Sequence, residues 1–419
     1  MSDTQAQPRI RPDRKPGWSL AMMVAPAYAR DPRPYFEELR AGGAMRDELD
    51  VAERKPTVLV SRYDDVQATL RNARVFSSRF GAGAGGLGND RPMIPLQIDP
   101  PEHKKYRKLL DPFLEPRKVA RLEGEVVRLV NQLIDRFERR GSCDLVADFA
   151  VPLPCTVFLR LLGLPLEDLD LLLRMKEGII RGNGEIDLVA AAQARAEAGK
   201  LCYEYFGAAL DRIRDERVEG LLLDLMDAEI DGERLSRDEI MDICYLFIIA
   251  GLDTVTDSLC CFYTFLAEHP EHRRRIVEDP SVIPAAVEEL LRWESPVSGV
   301  ARVATEDTEI GGCPVHQGEN LFVLIGAANT DPDGIDRAGG VDFDRPANRH
   351  FAFGGGIHRC LGSHLARLEL RVTLAEWHRR IPEYQVPPGT ELLWTPMLRA
   401  VLELPLVFPV GGSDSRRAE

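Results

Sequence analysis

The chain has 419 residues, 44% hydrophobic, 29% charged and 7% aromatic, which is enough apolar material for a large core and excludes a disordered chain. Its 53 Lys and Arg against 67 Asp and Glu give a net charge of −14, the wrong sign for a general nucleic-acid binder. Eight cysteines lie scattered at 143, 155, 202, 244, 260, 261, 313 and 360 with no CxxC pair, which excludes a disulfide scaffold and fits a reducing compartment.

Residues 1–20 are polar and Pro-rich and read as an N-terminal tail; 411–419 read as a C-terminal one. The run SLAMMVAPAYA after Lys15 imitates a secretory leader, but Pro26 cuts it short and Asp3 and Asp13 precede it, so no signal peptide is expected. Between the tails no linker or repeat marks a boundary, and 21–410 is expected to form a single domain. A short helix is predicted at 34–39 and a strand in PTVLVSRY at 56–63. FGAGAGGLGND at 80–90 holds five glycines in eleven residues and reads as a connection or a cover. The segment 103–121 then carries seven Lys or Arg against two acids. Three-four spacing predicts a long helix at 119–140 and another at 190–217, with RGNGEID at 181–187 interrupting two helical stretches. Ser236 and Glu239 form a capping box that opens a helix running to His269-Pro270, about thirty residues or roughly 45 Å at ~1.5 Å each. A shorter helix follows in EHRRRIVED. Strands are predicted in EDTEIGGCPVHQGENLFVLI and in LLWTPMLRAVLELPLVF. The most apolar stretch, from Ile243, meets Asp253, Thr254 and Asp257, so no membrane span is expected. The fold class is mainly α with small β-sheets near both ends, and no βαβ alternation supports a doubly wound sheet.

Four patterns carry chemistry. In HFAFGGGIHRCLGSHLARLELR, Phe353, three glycines, His358, Cys360 and Gly362 run into a helix expected near Leu361. A cysteine at a helix N-terminus has its thiolate stabilised by free N–H groups and the helix dipole, which makes Cys360 an anionic ligand or a nucleophile. Zinc is the rival, since His350, His358 and His364 are close, though the spacing fits no finger or ribbon. In LFIIAGLDTVTDSL, the small Ala250-Gly251 permits close approach to the helix. An acid beside a hydroxyl at Asp253-Thr254 is costly to bury at mid-helix without purpose, and the hydroxyl can back-bond a carbonyl and kink the helix. Glu289 and Arg292 lie three apart and share a helix face. His103 and Arg107, four apart, head the basic segment, whose contrast with an acidic chain suggests an acidic ligand or partner.

Taken in order, DPPEHKKYR, AGLDT, EELLR, AANTDP and FGGGIHRCLG resemble the cytochrome P450 superfamily in its soluble bacterial form, over nearly the whole chain. The resemblance implies the cytochrome P450 fold with haem b (iron protoporphyrin IX) as cofactor and Cys360 as its metal ligand. Leu361 and Gly362 would moderate the thiolate, Phe353 would pack beside it, and His103, Arg107, Arg302 and His358 would bind the propionates. Asp253 and Thr254 would deliver protons and hold dioxygen, with Ala250 and Gly251 opening the oxygen groove. Glu289 and Arg292 would be scaffold, joined to Arg345 or a neighbour. The substrate pocket would draw on 80–95, 176–190, Leu246, Ile249, Ala250, Val297, Gly299, Val300 and Met397. The implied activity is monooxygenation of a hydrophobic small molecule such as a terpenoid, steroid, fatty acid or polyketide. Oxidative coupling or plain ligand binding is the alternative. Electrons would come from a separate ferredoxin and NAD(P)H-dependent ferredoxin reductase, docking on Lys104, Lys105, Lys108, Arg117 and Lys118. The expected protein is a cytoplasmic monomer that binds neither nucleic acid nor membrane.

Overall fold

The computed structural model describes residues 23, 25–47, 57–79, 87–184, 187–230, 232–395 and 398–410. Most of the Gly-rich run and Met397 therefore lie outside the described residues. The expected mixture of many helices and small sheets is what the chain adopts.

One five-stranded sheet joins three early strands to two from much later in the chain, in the spatial order Met45–Asp47, Thr57–Val60, Asn320–Val323, Val300–Ala304, Phe76–Ser77. Val60 lies in parallel register with Val323, which opposes Val300 in the antiparallel pair beyond. The strand predicted at 56–63 stops at Val60 because Tyr63 opens the helix Tyr63–Arg71, its N–H donating to Asp331 Oδ2 at 2.8 Å. The helix predicted at 119–140 is two, Pro116–Ala120 and Glu123–Asp135, followed by a tighter turn that ends on Gly141 at φ +70°. The longest helix, Leu188–Glu216, begins where Asp187 accepts from the Ala190 N–H at 2.8 Å.

The capping box at Ser236 forms in both directions, at 3.2 and 2.7 Å. The thirty-residue helix it starts is broken in two, Arg237–Gly251 and Thr254–Glu268. Hydroxyls take the carbonyls at the break: Thr254 Oγ1 donates to Ala250 O at 3.1 Å and Thr256 Oγ1 to Leu252 O at 3.2 Å. This is the back-bonding that bends helices. The break also divides the core. Ile243, Tyr245, Ile248 and Leu252 pack with Phe158, Met175 and Phe206, whereas Leu259, Phe262 and Leu266 pack with Leu290, Leu374 and Trp377. By length and a mean hydropathy of 1.5 this helix pair qualifies as a membrane span, contrary to the expectation drawn from its three polar residues. Its most apolar stretch is 78% buried inside the protein, so it serves as a core helix.

Glu289 and Arg292, on the helix Ile283–Glu294, are fully buried and pair at 2.7 and 2.9 Å. Arg345 adds a second fork to the same carboxylate at 2.9 and 3.0 Å, joined by Asn348 Nδ2 and the Asp342 N–H, each at 2.9 Å. Arg292 donates further to Asn329 O, Ala338 O and Gly340 O. Removing the carboxylate strands two buried cations. Glu289→Ala is expected to cost about 3–5 kcal/mol of unfolding free energy, measured by urea titration; a loss under ~1 kcal/mol would contradict this account.

Candidate active site

The segment before the helix Ser363–Arg380 is a tight loop. Phe351 N–H donates to Asn329 Oδ1 at 2.6 Å, Gly354 N–H to Phe351 O at 2.7 Å, and Cys360 N–H to Phe353 O at 2.8 Å. Gly356 adopts φ +63°, and a Cβ there would lie 2.2 Å from Leu70 O, so only glycine lets the loop dock on the helix Tyr63–Arg71. Seven of the eight cysteines are buried, and Cys360 alone is exposed. Burial nevertheless pushes the thiol up, opposed by the Gly362 N–H and by the charges of Arg107, Arg359 and Arg367. A thiol that is both enclosed and accessible faces an internal cleft. Leu361 is half-buried against the core of the first half of the central helix pair.

Beside this loop lies a group of nitrogen donors with unused capacity. The helix Glu102–Leu110 presents His103, whose ring centroid is 4.4 Å from that of His358. The Nε2 atoms of both are buried without a hydrogen-bond partner. Burial lowers both histidines, His358 to about 3 with help from the neighbouring positive charges. Arg302, from the strand Val300–Ala304, is buried and donates to Ala301 O at 2.6 Å, and it makes no ion pair among the described residues. Burial pulls it down to about 10. Arg107 reaches Arg359 O at 2.9 Å and pairs with Asp111 at 2.8 Å. Buried donors of this kind call for an anion, carboxylates above all. Of the basic segment, Lys104, Lys108, Arg117 and Lys118 are exposed, while Lys105 turns to Glu239 at 3.6 Å.

The broken helix carries a second group of residues. Ala250 is exposed although it sits in the middle of the fold, and Thr254 beside it is half-buried. At Gly251 a Cβ would meet the Phe158 ring at 2.8 Å, so the missing side chain leaves room for Phe158. At Gly299, which is half-buried, a Cβ would meet the Phe322 ring and Val323 O at 2.7 Å. Val300 packs against the sheet core. Leu246 is buried, Ile249 half-buried, and Val297 is bridged to Leu398. Asp253 is buried and accepts from Lys176 Nζ at 2.5 Å, leaving Oδ2 without a partner. Asp257, one turn on, is held well above the usual carboxylate range by burial and by the Asp253 charge.

Lys176 was not singled out from the sequence, yet it shares the face of Leu172, Met175 and Ile179, and a lone lysine on an apolar stripe signals a buried partner. Glu369, fully buried on the helix after Cys360, carries the same signal beside Leu368 and Val372. Phe353 lies under the Arg367 guanidinium, 4.3 Å from the ring centroid, and His350 turns to Glu288. No three His, Cys, Asp or Glu side chains gather as a metal cluster among the described residues.

Comparison with known proteins returns one family. The cytochrome P450 profile matches residues 191–380. The mycinamicin IV hydroxylase/epoxidase of Micromonospora griseorubida is 35% identical over 364 residues, covering 84% of this chain and 89% of that protein. A steroid C26-monooxygenase of Mycobacterium tuberculosis is 33% identical, covering 81% and 91%. The crystal structure of CYP109E1 from Bacillus megaterium with testosterone superposes with a TM-score of 0.83 at 28% identity, covering 92% of this chain and all of that one.

Burial raises Glu369 to about 8 from an ordinary 4.5. The folded protein therefore holds a proton there that the unfolded chain releases, and stability falls as pH rises from about 4.5 to 8. Glu369→Gln should remove this slope, gaining on the parent by about 1.4 kcal/mol per pH unit in urea titrations across that window. A pH-independent difference would show that Glu369 is ionised.

Proposed function

The chain belongs to the cytochrome P450 family, and from that premise we propose that Cys360 is its proximal thiolate. The protein is a haem-thiolate monooxygenase that hydroxylates hydrophobic substrates and draws electrons from redox partners. The observation that carries the residue assignment is the pairing of an accessible Cys360 inside the fold with two buried, unpartnered histidine nitrogens beside it.

These residues fit haem b. His103, His358, Arg302 and Arg107 supply donors for two propionates, and occupying the two orphaned Nε2 atoms removes their burial penalty. The bound group supplies dioxygen activation and transfer of one oxygen atom to a substrate C–H bond. On the broken helix, Thr254 holds a proton at Oγ1, parked on Ala250 O and able to rotate into the cleft. Asp253 stands one residue before it with a free Oδ2. Lys176 fixes the carboxylate, so proton delivery to Thr254 depends on how tightly that lysine holds. Leu246, Ile249 and Val297 keep the substrate side apolar and dry. The expected substrate is a terpenoid, steroid, fatty acid or polyketide. A cytoplasmic protein of one haem domain over 21–410, fed by a separate ferredoxin and its NAD(P)H-dependent reductase, completes the reading. Exposed Lys104, Arg117 and Lys118 suit an acidic ferredoxin.

The deciding measurement is the absorption spectrum of the dithionite-reduced protein under carbon monoxide. A strongly red-shifted Soret band is expected in the parent and is lost in Cys360→Ser; its persistence in that variant would overturn the assignment. Asp253→Asn should lower turnover about 10²-fold. Thr254→Ala should keep consuming NAD(P)H while product per NAD(P)H falls several-fold. Full coupling in Thr254→Ala would remove its role.

A further inference from the structure

Two consecutive carboxylates on the helix Ile283–Glu294 face different parts of the molecule. Glu289 closes on Arg292 and Arg345. Glu288 instead meets Arg367 in a two-pronged pair, at 2.6 Å to Nε and 2.7 Å to Nη2. Arg367 stands in the second turn of the helix that follows Cys360. Its guanidinium stacks on Phe353, whose carbonyl accepts the Cys360 N–H. The remaining Glu288 oxygen capacity goes to His350 Nε2 at 3.1 Å. His350 Nδ1 accepts the Ala352 N–H at 3.1 Å, which places the proton on Nε2. Both ends of the cysteine loop are thus tied, through Arg367 and His350, to one carboxylate on a core helix.

This arrangement bears on charge as well as position. Three arginines act on the Cys360 sulfur: Arg107, Arg359 and Arg367. Arg107 has its counter-charge in Asp111 at 2.8 Å, and Arg367 has Glu288. Burial alone would raise Glu288, but the Arg367 fork and His350 hold it at about 2, so it stays ionised at any working pH.

We propose that Glu288 is a positioning residue for the Cys360 thiolate: it seats Arg367 over Phe353 and cancels the cation that would otherwise draw electron density from the sulfur. The proposal rests on the assignment of Cys360 made above. Partners of this kind around metal ligands tune the ligand's basicity, and the potential of a haem site follows charge and hydrogen bonding at its axial ligand.

Reduction of the ferric centre adds one negative charge, which an uncompensated cation nearby favours. Spectroelectrochemical titration of the substrate-free holoenzyme tests this. Glu288→Gln, which frees the Arg367 charge, should raise the ferric/ferrous potential. Arg367→Gln, which leaves Glu288 unbalanced, should lower it. The double variant should return close to the parent. Shifts of the same sign in both single variants would mean that loop geometry alone is at work, and no shift would mean that the pair is inert; either result overturns the proposal. Should Glu288→Gln not take up haem, Arg367→Gln alone decides, since it must lower the potential. Arg367→Lys keeps the charge but loses the fork, and should stay near the parent value. A parent without the red-shifted carbon monoxide band fails the Cys360 assignment itself; a parent with that band and unmoved potentials fails only this inference.

Discussion

The Glu289 carboxylate has no contact with solvent, yet it accepts from two guanidinium forks, an asparagine amide and a backbone N–H. A buried charge so fully paired adds little net stability over an apolar packing of the same volume, while losing one partner is severe. Its contribution is placement. Arg292 carries the backbone at Asn329, Ala338 and Gly340 and Arg345 that at Asp336 and Arg337, and Asn329 in turn holds the Phe351 N–H at the entry of the cysteine loop. The loop thus inherits its position from a charge network that does not touch the cleft.

The second organising feature is the interruption of the central helix at Leu252-Asp253. Each half belongs to its own core, so neither half can straighten without disturbing the packing of the other. The interruption is where Ala250 comes to the cleft and where a buried acid is tolerated. There the buried Asp253 is met by Lys176 from the helix Leu169–Arg181.

What the sequence alone revealed followed the range of the interactions. The capping box at Ser236, the hydroxyl back-bond at Thr254 and the helix after Cys360 are local, and their spacing announces them. Small residues are ambiguous in sequence, since a glycine serves both where space is open and where another group presses in, as Phe158 does at Gly251 and Phe322 at Gly299. Lys176 with Asp253 and Glu288 with Arg367 pair across 77 and 79 residues of chain, and no local pattern states which buried charge finds which. The helix expected at 119–140 divided at Arg121-Leu122, where the apolar spacing continues but the backbone does not.

The distribution of sulfur has a practical side. Seven thiols are shielded within the packed interior and one opens to the cleft. A thiol-directed alkylating reagent therefore meets a single reactive stoichiometry per folded chain, and iron coordination at that sulfur would mask it. Under the assignment of Cys360 to the haem iron, the ratio of alkylated to total protein would track the fraction of molecules still lacking their prosthetic group.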